Sequence, residues 1–140
     1  MADALEVRFY TGCADPVDVA LRLARKCQQR GWRTLVVGPQ SALKSLSARL
    51  WALDGFWAHA GPGEASLQRR SPLVLDVEPG PAEGFTALIH LGAEVVLAPT
   101  GVRQVFEVVG EDSEAREAGR ARFRHYRTQG LTPEHHEVAA

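Results

Sequence analysis

Two hydrophobic periods alternate along this chain. Near the N-terminus Leu5, Val7 and Phe9 recur at every second residue and predict a strand ending at Thr11-Gly12. Asp15-Pro16 follows, a capping carboxylate and then a proline at the first helical position, where a missing N–H costs nothing. The period then changes: Val17, Ala20, Leu21, Ala24 and Cys27 take helical spacing up to a stop at Gly31. Thr34 to Val37 is a short apolar run bounded by Gly38-Pro39, the pattern of a strand buried on both faces. Ser41 is the expected cap of a second helix whose Leu43, Leu46 and Leu50 face one way. Pro72 to Val77, Thr86 to Leu91 and Val105 to Val109 are further strand candidates, and a last helical segment covers 116–127.

The order β-α-β-α-β-β-β-α predicts an α/β fold, one domain with a mostly parallel sheet flanked by helices. Residues 1–130 make that domain, and 131–140, after Gly130, are expected to be a short tail, extended or flexible. Hydrophobic residues at 45% and charged ones at 24% agree with a soluble globular chain, long enough to bury a core. Only Cys13 and Cys27 are present, no apolar run would span a bilayer, and the start of the chain has no signal-peptide pattern. A reduced, cytoplasmic setting without membrane contact is the expectation.

The chain carries few active-site patterns. The turn Tyr10-Thr11-Gly12-Cys13-Ala14-Asp15 has one glycine and no lysine, so it is neither a dinucleotide fingerprint nor a phosphate loop. Gly38-Pro39-Gln40-Ser41 also lacks both patterns. Cys13, near a helix start, is either an activated thiol or a plain buried one. His135-His136 between Glu134 and Glu137 looks like a metal grip, yet adjacent side chains diverge, so no metal site is expected. Asp76 and Glu78 share a strand face with nothing converging on them. No catalytic constellation and no cofactor is expected.

The last helix carries more. At 100° per residue Arg116, Arg120, Phe123, Arg124 and Arg127 fall within about a 100° arc. Four arginines around one ring suit an acidic peptide with an apolar, carboxylate-bearing end, and they also suit nucleic acid. A net charge of -1 makes either site a local patch. A third reading needs no ligand, because acids early in this helix (Glu111, Asp112, Glu114, Glu117) and arginines late complement its dipole. A second notable cluster, Trp51, Phe56 and Trp57 with His59, is either core or an interface anchor.

Taken in order, several stretches resemble one family. These are Val7-Arg8-Phe9-Tyr10, the long first helix, Gly31 to Val37, Leu50-Trp51 with Phe56 and His59, Leu88-Ile89-His90-Leu91-Gly92, and Val105 to Gly110. Arg120 to Gly130 is similar to the family's Arg-x-Arg-Tyr-Lys-x-Tyr-Arg-x-x-Gly pattern. The family is the chi subunits of bacterial DNA polymerase III, accessory proteins of the clamp loader.

The resemblance implies a non-catalytic adaptor in DNA replication, with a nucleotide-binding-like fold that lacks the phosphate loop. It implies two partners. One is the psi subunit, held at the side of Trp51 and Phe56, where some bacteria place a helicase instead. The other is the acidic C-terminal tail of single-stranded DNA-binding protein, which ends in aspartates, Ile-Pro-Phe and a free carboxylate. Arg120 and Arg124 would then pair with the carboxylate and aspartates. Arg116 and Arg127 would extend the positive field, and Phe123 with Val109 would wall a pocket for the Pro-Phe end. Affinity is expected to be about micromolar and salt-sensitive. DNA would be contacted only indirectly. Phe123 and Arg124 depart from the family's Tyr and Lys, which removes a hydroxyl and keeps the ring and the charge. The alternative is a direct single-stranded DNA module that uses the same helix.

Overall fold

The computed structural model describes residues 5–53, 59–62, 71–77, 84–92 and 101–138. Six strands form one sheet: β1 (Glu6–Cys13), β2 (Thr34–Val37), β3 (Leu73–Asp76), β4 (Ala87–His90), β5 (Gln104–Gly110) and β6 (Glu134–Glu137). Their order is β3-β2-β4-β5-β1-β6, and every pairing is parallel. Parallel neighbours need crossovers. Three helices are present among the described residues: α1 (Pro16–Gln29), α2 (Gln40–Ala52) and α3 (Ser113–Thr128).

The first helix starts where the sequence predicts. Asp15 Oδ1 accepts from the Asp18 N–H at 3.2 Å, and Pro16 opens the first turn. Its buried side, including Ala20, Leu23, Ala24 and Cys27, packs with Leu43, Leu46 and Leu50 of α2 over Val36, Ile89, Phe106 and Val108 of the sheet. Gly31 ends the helix with a φ of 71°, which glycine adopts without a Cβ penalty.

The expected cap of α2 is corrected. Pro39, not Ser41, occupies the cap position, no side chain caps the helix, and Gln40 is its first residue. The cause lies one residue earlier. A Cβ on Gly38 would stand 2.8 Å from Leu91 Cβ, so the chain leaves β2 in close contact with β4 and enters the helix directly through the fixed φ of Pro39.

Side chains alternate across the strands, so the other face of the sheet carries a second cluster. Val7, Phe9, Leu35, Leu88, Val105 and Val109 meet Tyr126 of α3 there. The segment after Gly130, expected as an extended or flexible tail, contains the sixth strand. β6 pairs with β1 in the register Arg8↔Glu134 to Thr11↔Glu137, and Val138 N–H donates to Thr11 O at 2.9 Å. All four β6 residues are exposed, so hydrogen bonds rather than burial hold this edge.

Candidate functional site

On the α3 side of the sheet, between that helix and the β1–β6 edge, lies a cavity of about 290 Å³. Val109 and Gly119 form its floor, Arg116, Arg120 and Phe123 its helical wall, and Phe9, Thr11 and His135 its strand wall.

The geometry follows from local choices. Asp112 Oδ1 accepts from the Ala115 N–H at 2.8 Å and fixes the start of α3. The helix then lies close to β5 because residue 119 has no side chain: a Cβ there would stand 2.9 Å from Val109 Cγ1. With Gly119 facing the sheet, the helical period turns Arg116 and Arg120 to solvent and leaves Phe123 half-buried at the rim. The Phe123 ring lies 5.2 Å from Phe9, tilted by 59°, and Tyr126 meets Phe9 edge-on at 5.9 Å. Aromatic contacts of this kind orient a ring as well as bury it.

The structure thus brings together four predicted site residues: Val109, Arg116, Arg120 and Phe123. Arg124 and Arg127 are exposed on the same helix and do not line the cavity. Among the described residues none of these four arginines makes an ion pair, so the early acids of α3 leave them uncompensated. The cavity is chiefly apolar inside and cationic at its helical rim. It can take an apolar side chain while holding an anion at its mouth.

Sequence reasoning missed Phe9, Thr11, Gly119 and His135. A glycine inside an arginine-rich helix was an available signal of close packing. It also missed a buried cluster under α3. Glu107 Oε1 accepts from Arg122 Nε at 2.8 Å and from His90 Nδ1 at 2.7 Å, and Oε2 accepts from the Tyr126 hydroxyl at 2.7 Å. Glu107 and His90 are 1% exposed and Arg122 is 2% exposed, so this is an interior charge cluster. Burial alone would raise the Glu107 carboxyl, but the hydrogen bonds and positive partners outweigh it and hold Glu107 below the usual carboxylate range. Burial and the adjacent carboxylate push the Tyr126 hydroxyl far above its ordinary value. Arg122 therefore faces the interior, unlike the exposed arginines of the same helix.

Cys13 is buried, and desolvation pushes its thiol up, the opposite of activation. His135 and His136 point to opposite faces of β6: Nε2 of His135 lies 2.6 Å from Thr11 Oγ1, while His136 stacks on Tyr10 at 5.2 Å. Asp76 Oδ1 accepts from the Val77 N–H, and Glu78 lies outside the described residues. At the carboxyl ends of β4 and β5, where α/β folds bind nucleotides, a cavity of about 200 Å³ is bounded by Pro16 and Asp112. Both helix starts there are already capped by carboxylates, Asp15 and Asp112, which repel a phosphate.

A third cavity, of about 440 Å³, lies on α2, lined by Lys44, Ser47, Trp51, His59 and Leu75. Trp51 is 54% exposed, with its ring 4.6 Å from that of His59, and Ser47 Oγ lies 2.8 Å from His59 Nε2. Phe56, the other expected interface residue, and Trp57 lie outside the described residues. This surface sits beside β3, at the sheet edge opposite β6 and on the opposite face from α3. Six strands separate the two edges by roughly 24 Å.

Residues 5–134 match the model of a family described as DNA polymerase III chi subunit, HolC. A Pseudomonas aeruginosa protein named DNA polymerase III subunit chi is 32% identical over 139 residues, covering 94% of this chain and 96% of its own length. Among solved structures, the C-terminal domain of the DEAD-box protein Dbp5 superposes with a TM-score of 0.65 at 11% identity, over 98% of this chain and 92% of that domain. That last likeness concerns fold alone.

Proposed function

The chain belongs to the DNA polymerase III chi subunit family, and on that premise we propose that it bridges the clamp loader to the acidic tail of single-stranded DNA-binding protein. Family membership makes it an accessory subunit of the replicative polymerase, and no catalytic family is indicated. The observation that carries the finer reading is the cavity between α3 and the β1–β6 edge. Its apolar floor and Phe123 fit the Pro-Phe end of such a tail. Arg116 and Arg120 stand at its rim for the terminal carboxylate and an aspartate, through charge-assisted hydrogen bonds. Arg124 and Arg127 continue the positive stripe for the remaining acids.

The Trp51 surface on the far edge of the sheet is the proposed seat of psi, or of a helicase in its place. Separation on opposite edges lets both partners bind at once, which is what a cytoplasmic bridge requires. Direct binding of single-stranded DNA has less support. The stripe offers one ring, Phe123, and that ring already rests on Phe9, whereas sequence-tolerant binders stack several bases.

Titration with a peptide ending Asp-Asp-Asp-Ile-Pro-Phe tests this reading. Saturable binding is expected for the free acid, with loss in the C-terminally amidated peptide and in Arg120→Ala. Failure of the free acid to bind at low salt would remove tail capture from this protein's function.

A further inference from the structure

We propose that His135, on the edge strand β6, is a specificity-determining residue of the peptide cavity and couples ligand binding to proton uptake. The inference rests on the tail-capture reading above and adds a second, titratable wall to it. His135 lines the cavity opposite Arg116 and Arg120. An anionic peptide end seated there lies between the helix's fixed cations and an imidazole.

Three observations make this ring a site component and not tail composition. Its position is fixed, because β6 pairs with β1 in a defined register that sets His135 beside Phe9. Its side chain is held: Nε2 lies 2.6 Å from Thr11 Oγ1. The nature of that partner also matters, since a hydroxyl both donates and accepts. Thr11 donates to Nε2 of one neutral tautomer and accepts from Nε2–H of the imidazolium, so gaining a proton leaves the ring in place. A carboxylate partner would instead fix one charge state.

The charged groups around His135 define the sign. From α3, Arg116 and Arg120 face it across the cavity. From its own strand, Glu137 shares its face, while Glu134 and His136 lie on the other. From β1 the facing groups are the Phe9 ring and the Thr11 hydroxyl, with Arg8 and Tyr10 on the opposite face. A bound carboxylate adds negative charge to this enclosure and favours the imidazolium, so binding takes up a proton and strengthens as pH falls.

The experiment is the same peptide titration on the full chain at about pH 6 and about pH 8, repeated with His135→Gln and Arg120→Ala. Glutamine can still bond Thr11 and cannot become cationic. Expected are about threefold to fivefold tighter binding at the lower pH in the parent, and loss of that pH dependence in His135→Gln. Binding that is equally strong at both pH values, or a pH dependence that survives His135→Gln, overturns the role of His135 and leaves tail capture standing. No binding at either pH overturns tail capture and this inference with it.

Discussion

Gly119 of α3 lies against Val109 of β5 so closely that an added Cβ would stand 2.9 and 3.0 Å from the two Val109 methyls. The floor of the cavity beneath α3 is this contact, so the distance of the basic helix from the sheet is set by one missing side chain. Gly119→Ala gains up to about 1 kcal/mol of helix propensity, but overpacking costs about 1–3 kcal/mol. Expected is a net loss in chemical denaturation together with weaker peptide binding, because lifting α3 carries Arg116 and Arg120 away from the strand wall. A variant as stable as the parent with unchanged affinity would show that the helix has room to move.

The four arginines are not equivalent. Arg116 and Arg120 line the cavity, whereas Arg124 and Arg127 do not. Isothermal titration of the four single alanine variants should rank Arg120 first, at about tenfold weaker binding or more. Arg124 and Arg127 should cost about twofold to threefold and lose most of that effect in high salt. Equal losses across the set would mean that a diffuse positive field, with no seated carboxylate, does the binding.

Glu107 holds His90, Arg122 and Tyr126 beneath the same helix. Glu107→Gln removes the buried carboxylate shared by His90, Arg122 and Tyr126 and should cost about 3–5 kcal/mol, measured by urea unfolding. A change under about 1 kcal/mol would place the cluster among structurally neutral ion pairs.

The same cluster sets the pH limits of stability. The Glu107 carboxyl is held low when folded, so its contribution is complete above the unfolded value of about 4.3 and is lost as pH falls through the lower folded value. Tyr126 is shifted the other way. The unfolded phenol ionises near about pH 10 while the folded one stays protonated, so stability declines as pH rises beyond that point. Thermal melts should show losses at both ends, and Tyr126→Phe should remove the alkaline share. An alkaline limit that persists in Tyr126→Phe would assign it to other groups.

Trp51 offers a separation of stability from binding. At 54% exposure its truncation should change folding stability by about 1 kcal/mol or less. Loss of a hot-spot anchor should weaken psi binding by about 2 kcal/mol or more, measured by titration with purified psi, while peptide binding is unaffected. Loss of both activities would indicate that the two edges of the sheet communicate.

Most of the framework was legible because it is written in apolar periods. Val7 and Phe9, the run 34–37, and Leu43, Leu46 and Leu50 all lie where the alternation or the helical spacing puts them. The sixth strand was not legible, since Glu134-His135-His136-Glu137 has no apolar alternation and no buried residue. Its signal is the unpaired backbone edge of β1, visible only once the sheet order is known. The site divides in the same way. The helical wall could be read from the period of α3. The strand wall could not, because Phe9, Thr11 and His135 meet it only through β1 lying between β5 and β6. Arg122 was hidden by its neighbours: within Arg120 to Arg124 every second residue is an arginine, and only burial separates the one that anchors inside from the two that stay exposed.

The place of β1 in that order also governs when the pocket can exist. Arg8 and Gln104, bonded across β1 and β5, are separated by 96 residues of chain, and Thr11 and His135 by 124. During synthesis β1 therefore emerges long before either of its sheet neighbours, and long before α3, which covers its apolar face. Such sequence-distant pairings form slowly. The nascent polypeptide is thus committed to a late, near-concerted closure in which the cavity beneath α3 and the final strand appear together, so a half-made chain has no such cavity.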